Sequence, residues 1–258
     1  MAKKIVIANW KMNPVSLKEA TALFSEIKKT SLKYTSSVVV CAPNAFVGFI
    51  SEKVSGNVSV GAQNVFFEKQ GAFTGEVSAK MLASIHASYV IVGHSERRKL
   101  GETSEQVSKK ASQALSEKLI PIICIGEKER DQEGHFFNII KEALLESIAS
   151  ISKSQISKVI IAYEPIWAIS TEGKGAMEPH SIQETVIFIR KVLSDKYGKN
   201  IATKIKIIYG GSVDGENAKD AVVLGGCDGV LVGKASLKIK TFEPILKALS
   251  GEGKLKVK

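Results

Sequence analysis

Glu164 is the residue in this sequence whose type and setting most suggest chemistry. It follows the apolar run 159–163, which predicts a buried strand, and Pro165 favours extended backbone at Glu164. A loop rich in Ser, Thr and Gly comes next. A carboxylate in this setting could act as a general base beneath a closing lid. A surface glutamate that begins a turn explains the stretch equally well.

Two further side chains, His94 and Lys11, could complete a site for removing a proton next to a carbonyl. His94 follows a predicted strand, and Ser95-Glu96 resembles the opening of a helix, where an imidazolium is disfavoured. A neutral His94 could donate a hydrogen bond to a carbonyl or enediolate oxygen, and Lys11 could supply fixed positive charge. Taken singly, a structural histidine and a solvated lysine are the ordinary interpretations.

These candidates follow short apolar runs that recur along the whole chain. The runs are rich in Val and Ile, with little polar alternation, as expected for parallel strands buried on both faces. We predict strands at Lys4–Ala8, Val38–Ala42, Val58–Ala62, Tyr89–Val92, Ile120–Ile125, Val159–Tyr163, Ile205–Tyr209 and Val230–Val232. Helical spacing predicts helices at Leu17–Lys29, Glu105–Lys118, Phe136–Ala149, Ser181–Asp195 and Glu243–Leu249, and shorter ones near Asn44–Val54, Val77–Ile85 and Glu216–Leu224.

Eight strand–helix units in one run predict an α/β protein with a closed (β/α)8 barrel. Since no Pro-, Gly- or Ser-rich linker divides the chain, we expect a single domain over residues 1–258, with a short basic tail at about 251–258. A doubly wound open sheet is the alternative. It would need a Gly-rich turn after the first strand, and Asn9-Trp10-Lys11 is not one.

Two late loops carry a phosphate signal. The seventh strand runs into Tyr209-Gly210-Gly211-Ser212, and Gly233 and Lys234 follow the eighth. Glycines let backbone N–H groups approach an anion, and a following helix N-terminus adds a favourable dipole. Barrels often bind phosphate at these two loops. Each loop alone could be an ordinary turn, but together they predict a phosphate site.

The composition points away from several other protein classes. The chain has 258 residues, 44% of them hydrophobic, and no apolar run approaches the roughly 20 residues that span a bilayer. The N-terminus leads into a strand and lacks a signal-peptide pattern. Cys41, Cys124 and Cys227 are far apart and mostly in apolar contexts, which indicates reduced core residues. We expect a cytoplasmic protein with no membrane partner and no metal site.

The net charge of +10 would fit nucleic-acid binding. However, the lysines are spread along helix-like segments, and the only concentrated basic run is the tail Gly253–Lys258. We therefore expect solvated helix faces and no nucleic-acid partner. Attraction of small anionic substrates is a secondary effect of this charge.

Seven segments, in order, resemble the triosephosphate isomerase family over essentially the whole chain. They are Asn9-Trp10-Lys11-Met12-Asn13, Gly61-Ala62-Gln63-Asn64, Gly71-Ala72-Phe73-Thr74-Gly75-Glu76, Gly93-His94-Ser95-Glu96-Arg97-Arg98, Cys124-Ile125-Gly126-Glu127, Tyr163-Glu164-Pro165-Ile166-Trp167-Ala168 and Tyr209-Gly210-Gly211-Ser212-Val213. The resemblance implies a TIM barrel that interconverts dihydroxyacetone phosphate and glyceraldehyde 3-phosphate, in glycolysis and gluconeogenesis, without a cofactor.

By this resemblance, Glu164 would carry a proton between two substrate carbons through an enediolate, and His94 would polarise the carbonyl. Lys11 would neutralise developing charge and anchor the phosphate, with Asn9 nearby. The implied supporting residues are Ser95, which would hold Glu164 while the lid is open, Glu96, which would support Lys11, and Tyr209 and Gly211. The implied phosphate ligands are the N–H groups of Ser170, Ser212, Gly233 and Lys234.

The resemblance also implies a homodimer. The loop 71–76, with Thr74, Gly75 and Glu76 at and after its tip, would insert beside Lys11 and His94 of the partner subunit. The loop's own residues indicate only a long, partly apolar excursion that bears glycines.

The sequence departs from the family pattern in four places. Ser170 stands where Gly is usual, Glu172 lengthens the lid by one residue, Lys234 replaces a second glycine, and Asn44 replaces a common Pro. Ser170 loses backbone freedom if the closed lid needs a positive φ. We expect retained catalysis with altered lid kinetics, and a Lys234 ammonium that points to solvent.

Two other functions fit parts of the pattern. A related barrel enzyme could act on a four-carbon aldose phosphate, although the His94 motif and the largely matching lid favour three carbons. A barrel without activity could instead bind phosphate metabolites or a polyanion. The presence of Lys11, His94 and Glu164 argues against that second alternative.

Overall fold

The chain folds into a closed barrel of eight parallel strands, seen in a computed structural model that describes residues 3–169 and 175–250. The strands are β1 Ile5–Asn9, β2 Ser37–Ala42, β3 Val58–Ala62, β4 Tyr89–Val92, β5 Ile120–Ile125, β6 Ile160–Tyr163, β7 Lys206–Tyr209 and β8 Gly229–Val232. Each strand pairs with its neighbour in sequence, and β8 closes on β1 with Gly229 opposite Ile5. The predicted barrel is confirmed, and the open sheet is excluded.

Both faces of the strands are buried, which explains their continuous apolar sequences. Successive side chains of a strand point to opposite faces. In β1, Ile5 and Ile7 belong to the cluster that fills the barrel interior, whereas Val6 and Ala8 pack outward among the helices. Cys41 and Cys124 fill the interior, Cys227 lies in the outer layer, and all three thiols are free and buried.

Helices connect the strands around the outside. In the described ranges they are α1 Leu17–Ser31, α2 Asn44–Ser51, α3 Ala79–Ser84, α4 Ser95–Lys99, α5 Ser104–Ser116, α6 Phe136–Ser147, α7 Pro179–Tyr197, α8 Lys199–Ala202, α9 Ala218–Val223 and α10 Ile239–Leu249. Short 3-10 turns lie at Ile156–Lys158, Ile166–Ala168 and Lys234–Leu237. Pro179 occupies the first turn of α7, where its missing N–H costs least.

The predicted start of the last helix at Glu243 is wrong by one turn. The helix begins at Ile239 and carries Pro244 inside it. The buried Phe242 extends the apolar stripe of Ile245 and Leu246 backward, and this packing outweighs the lost hydrogen bond at the proline. None of the helices in the described ranges is both long and apolar enough to cross a membrane.

The barrel brings the candidate residues to one rim. Asn9 is the last residue of β1, His94 follows β4 by one residue, and Glu164 follows β6 directly. Gly210 and Gly233 follow β7 and β8 in the same way. Because all eight strands are parallel, these five positions lie at the same, C-terminal end of the barrel. The sequence 251–258 and the lid positions Ser170 and Glu172 lie outside the described residues.

Candidate active site

A cavity of about 440 Å³ opens at the C-terminal rim. Its wall includes Asn9, Lys11, His94 and Glu164, together with Ile169 and the segments 210–213 and 233–235. Loops from β1, β4, β6, β7 and β8 therefore meet around one space, as barrel geometry requires.

Glu164 is 2% exposed, and its carboxylate is held at the wall of this cavity. The N–H of Ser95 donates to Oε2 at 3.2 Å, and Oε1 lies 3.3 Å from Nε2 of His94. The backbone N–H of Glu164 donates to the carbonyl of Ile125 at 2.8 Å. This bond fixes the backbone of Glu164 to the end of β5. In this position the carboxylate rests on Ser95 and faces the imidazole.

His94 is 7% exposed and is oriented by the chain that follows it. Its Nδ1 accepts a hydrogen bond from the N–H of Glu96 at 3.2 Å. The Glu96 carboxylate lies farther from Nδ1, at 3.6 Å, which is too long for a hydrogen bond. An accepting Nδ1 carries no proton, so the neutral ring has its proton on Nε2, the nitrogen that faces Glu164.

Lys11 has an unusual backbone, with φ at +53°. A non-glycine residue in this region is uncommon and is held there by its surroundings. Here the side-chain oxygen of Asn9 accepts from the Lys11 N–H at 3.0 Å, and the ammonium pairs with Glu96 at 2.7 Å. Asn9 therefore shapes the loop that presents Lys11, a role that sequence reasoning missed.

Two glycines make room for Glu164. A Cβ at Gly210 would lie 2.8 Å from Cγ of Glu164, and a Cβ at Gly126 would overlap the Glu164 carbonyl. The N–H of Gly210 also donates to the carbonyl of Tyr163 at 2.8 Å. The sequence predicts a phosphate site at the loop that contains Gly210, and it indicates Gly126 only as part of a motif of the family resemblance. Their position at the ends of strands that flank β6 is the signal that could have revealed them.

A buried ionic network supports the loop that bears His94. Arg98 donates to the carbonyls of Gly93 at 2.8 Å and Cys124 at 3.2 Å, which ties this loop to β5. Glu102 accepts from the N–H of Gly93 at 2.9 Å and forms a buried ion pair with Lys110. Lys110 is thus an exception to the expectation of solvated lysines. Sequence reasoning missed this network.

The segment after Glu164 is tied down by a second buried carboxylate, Glu127. Its Oε1 accepts from the hydroxyl of Tyr163 at 2.8 Å, from Nε1 of Trp167 at 3.0 Å and from Nε of Arg130 at 3.1 Å. Burial, followed by the charge of Glu127, raises the pKa of Tyr163 well above its usual range. The hydroxyl therefore stays protonated, and Glu127 joins the turn at Trp167 to the barrel.

A protonated thiol also faces the candidate base. Burial first, and then the charge and hydrogen bonding of Glu164, raise the pKa of the Cys124 thiol. The thiol stays neutral at physiological pH, because a thiolate beside the Glu164 carboxylate would be repelled in this buried setting.

The loops after β7 and β8 form the other side of the cavity, where the sequence predicts a phosphate site. The loop after β8 lies against Lys11, because a Cβ at Gly233 would be only 3.4 Å from its Cε. Lys234 follows, exposed and part of the cavity wall. The N–H of Ser212 is already donated to the carbonyl of Ala168 at 3.1 Å, so it must leave that partner before it can bind an anion. Ser170 lies outside the described residues.

Tyr209 contacts Met177, in the described segment that begins at residue 175. Its hydroxyl accepts from the N–H of Met177 at 3.4 Å, and it occupies the space that a Cβ at Gly211 would fill. Burial is the main cause that raises the pKa of Tyr209 to about 12. Gly211 is therefore needed for the position of the hydroxyl, apart from any contact with an anion.

Thr74, Gly75 and Glu76 lie away from this cavity, on an exposed loop after β3. The loop is closed at its base by a bridge between Phe66 and Ser78. Its residues 71–76 are all exposed.

One group of side chains in the described ranges has spacing suited to a metal ion. Asp131, Glu133 and His135 have ligand atoms within 4.8 Å of one another, but none of them lines the cavity. The Asp131 carboxylate already accepts from the N–H groups of His135 and Phe136, which cap α6.

The arrangement around the cavity suits proton transfer next to a carbonyl. It offers a buried carboxylate as base, a neutral imidazole with its N–H turned inward, and a cation that can balance an enediolate. The glycine-bearing loops beside Lys11 offer room and backbone donors for a phosphate.

Comparisons with known proteins agree with this chemistry. Residues 4–249 match the family model described as triosephosphate isomerase. The triosephosphate isomerase of Clostridium botulinum (strain Langeland) is 43% identical over 249 residues, covering 95% of this chain and 99% of that protein. The triosephosphate isomerases of Cytophaga hutchinsonii and Dictyoglomus turgidum are 42% and 38% identical, each covering 96% of this chain and 100% of their own length. Barrel, cavity and full-length similarity agree, and the chain belongs to the triosephosphate isomerase family.

Proposed function

We propose that this protein interconverts dihydroxyacetone phosphate and glyceraldehyde 3-phosphate with Glu164, His94 and Lys11 as its catalytic residues and Asn9 as the residue that positions Lys11. One observation carries the proposal. Oε1 of Glu164 lies 3.3 Å from Nε2 of His94, at the wall of a cavity that Lys11 also lines. Family membership supports the reaction, and this geometry supports the assignment of roles.

The proposed steps need only these groups. Glu164 turns from Ser95 toward the substrate and removes a proton from the carbon next to the carbonyl. The electron pair of that C–H bond forms the carbon–carbon double bond of an enediolate, and the carbonyl oxygen takes the negative charge. The Nε2–H of His94 donates a hydrogen bond to this oxygen, and Lys11 stabilises the charge. His94 gives its Nε2 proton to this oxygen and takes the proton of the neighbouring hydroxyl, whose oxygen becomes the new carbonyl oxygen. Glu164 returns its proton to the carbon that bore the original carbonyl, and the electron pair of the carbon–carbon double bond forms the new C–H bond.

The phosphate would be held on the other side of the cavity. N–H groups of Ser212, Gly233 and Lys234 are the proposed donors, with Ser170 added when the lid closes. The bond from Ser212 to Ala168 supports a link between lid and phosphate, because Ala168 belongs to the turn that starts the lid. Phosphate arrival would displace that carbonyl and so favour movement of the lid. A closed lid keeps water from the enediolate.

The first experiment is a coupled assay with dihydroxyacetone phosphate on the native protein and on Glu164→Gln. Glutamine keeps the shape of the side chain but cannot take the proton, and we expect kcat to fall by about 10²–10⁴-fold. Glu142→Gln, on the exposed face of α6, is the matched control and should turn over normally. Turnover of Glu164→Gln within a few-fold of native would contradict the assignment. Comparison with a four-carbon aldose phosphate tests the alternative substrate.

A homodimer is the proposed assembly. The large apolar side chains exposed on the loops and helices that follow β1 to β4 support it. They include Met12 at 90% and Val15 at 84% exposure, Phe49, Phe73, Met81 and Leu100. Apolar surface concentrated on one half of a rim marks an interface. The loop 71–76 stands on this half, and Phe73 packs on Phe66 at its base.

Light scattering tests the assembly. We expect a mass of about twice the 27.8 kDa of one chain. Thr74→Arg places a charge at the tip of the exposed loop and should give monomers with much lower activity. Ile187→Arg alters an exposed apolar residue on α7 and should stay dimeric. A native protein that is monomeric at micromolar concentration would refute the dimer.

The three free, buried cysteines favour a cytoplasmic location, because thiols stay reduced there. We also propose that residues 1–258 form a single barrel domain with a short basic tail at about 251–258.

A further inference from the structure

The cavity extends beyond the space that a three-carbon phosphate needs. Its wall runs past the loop after β8 to Leu237, Lys238 and Thr241. Cavities of about 440 Å³ commonly hold drug-sized ligands, which are much larger than a triose phosphate. A substrate that contacts Glu164, His94 and Gly233 therefore leaves the part of the cavity near Lys238 vacant.

This outer part has an apolar wall and a cationic edge. Val213 and Leu237 supply the apolar side chains. Lys234 and Lys238 line the cavity and are exposed, so they also form its edge toward solvent.

The two lysines differ from Lys11 in having no acidic partner within residues 3–169 and 175–250. Lys11 is paired with Glu96 at 2.7 Å, whereas Lys234 and Lys238 make no ion pair or side-chain hydrogen bond in those ranges. Glu164 is the single carboxylate among the described lining residues, against three lysines. The outer part of the cavity therefore has two lysine charges without an acidic partner in the described ranges.

The backbone that carries Lys238 is fixed. The hydroxyl of Thr241 donates to the carbonyls of Ala235 at 2.8 Å and Lys238 at 2.9 Å. Ser236 donates through its hydroxyl to the carbonyl of Gly233 at 2.7 Å. The segment 233–238 is thus one braced turn that presents both lysines to the same space.

We propose that Lys234 and Lys238 form an outer anion site, which holds the second phosphate of a linear bisphosphate whose first phosphate occupies the loop at Gly233. The chain between the two phosphates lies along Val213 and Leu237. Such bisphosphates bind as competitive inhibitors, because they fill the catalytic cavity without presenting the substrate's carbonyl and C–H group. The inference rests on the proposed function, since the first phosphate uses the proposed substrate site.

Calorimetric titration and competitive inhibition test the site with two kinds of probe at fixed ionic strength. One is glycerol 3-phosphate, and the other is a series of linear diol bisphosphates from three to eight carbons. Exposed charge pairs contribute up to about five-fold in affinity each. We therefore expect the best bisphosphate to bind roughly 25-fold more tightly than glycerol 3-phosphate, with a clear optimum in chain length.

The variants separate a site from general attraction. In Lys238→Gln the ratio of the two affinities should fall to about five-fold, and in the double variant with Lys234→Gln it should approach one. Lys240→Gln removes an exposed lysine two residues further on, outside the cavity wall, and should leave the ratio unchanged. Using the ratio within each variant cancels any effect on the inner phosphate site.

Equal affinities for both probes in the native protein would overturn the outer site. An advantage that is independent of chain length, or that Lys240→Gln reduces as much as Lys238→Gln does, would also overturn it, because it would reflect the charge of the whole surface. If neither probe inhibits the isomerase reaction, or if no such reaction is found, the proposed function fails instead.

Discussion

The two sides of the cavity differ in the role that side chains play. On the side of β4 to β6, His94 and Glu164 are buried side chains, each oriented by a backbone N–H, from Glu96 and Ser95 respectively. On the side of β7 and β8, the notable feature is the lack of side chains at Gly210 and Gly233, where a Cβ would meet Glu164 or Lys11. The first side contributes functional groups. The second side contributes space, because its glycines leave room for the side chains of Glu164 and Lys11.

This difference predicts how each side responds to substitution. Removing a functional group from the first side should lower kcat, because the group acts in the transition state. Adding a methyl group to the second side should act through displacement of a neighbour. The comparison fails if a glycine substitution raises KM and leaves kcat unchanged, or if loss of a functional side chain changes only KM.

The largest effect in this set is expected for His94→Gln. Glutamine can still donate a hydrogen bond, but its amide is a far weaker acid than the imidazole N–H that faces the carbonyl. We expect kcat to fall by about 10²-fold or more, with a much smaller change in KM. His135→Gln, on an exposed residue, is the control. Steady-state kinetics that show a rise in KM alone would assign His94 to binding.

A smaller effect is expected for Gly210→Ala, which tests the boundary between the two sides. Its Cβ would lie 2.8 Å from Cγ of Glu164, so the carboxylate must shift. Misplacement of a catalytic group by about 1 Å can cost about 10²-fold, and we expect a loss of roughly 10- to 100-fold in kcat. The proposed phosphate donors stay in place, so KM should change little.

Gly48→Ala is the matched control, because its Cβ would be 3.8 Å from Ile85, an ordinary contact. If Gly210→Ala raises KM and spares kcat, Gly210 belongs to phosphate binding alone, as the sequence had suggested.

The sequence predicted the barrel well because its signals are local. Apolar runs buried on both faces mark the strands, and three of the eight, including Tyr89–Val92, have the predicted bounds. The position of Glu164 at the end of β6 follows from the same pattern.

The supporting contacts of the site could not be predicted in this way. Arg98 reaches the carbonyl of Cys124, and Gly126 makes room for the backbone of Glu164, in each case between residues far apart in sequence. Local periodicity carries no information on such distances. The motif at Gly126 was visible in the family resemblance, but only the packing of β5 against β6 shows what the glycine does.

The last prediction concerns the free energy of unfolding and two buried groups, Tyr209 and Cys227. We expect them to have no effect at physiological pH and a large effect in alkali. Burial is the largest cause that raises the pKa of Tyr209 and of the Cys227 thiol, each to about 12, from 10.0 and 9.0. Between about pH 9 and 12 the unfolded chain therefore releases protons that the folded protein keeps. The free energy of unfolding is therefore unaffected by these groups below pH 9 and falls as the pH rises. Each unit of raised pKa contributes about 1.4 kcal/mol, so the total fall is a few kcal/mol.

Urea unfolding at a series of pH values from 8 to 11.5 measures this fall. Cys227→Ala removes one of the titrating groups and should lessen the slope between pH 9 and 12, whereas substitution of an exposed lysine such as Lys240 should not.

Absorbance at 295 nm reports tyrosinate directly. Tyr209 should ionise only as the protein unfolds, because its hydroxyl is enclosed beside Gly211. If all the tyrosines titrate near pH 10 in protein that is still folded, this space is open to water, and the phosphate side is less tightly built than its contacts indicate.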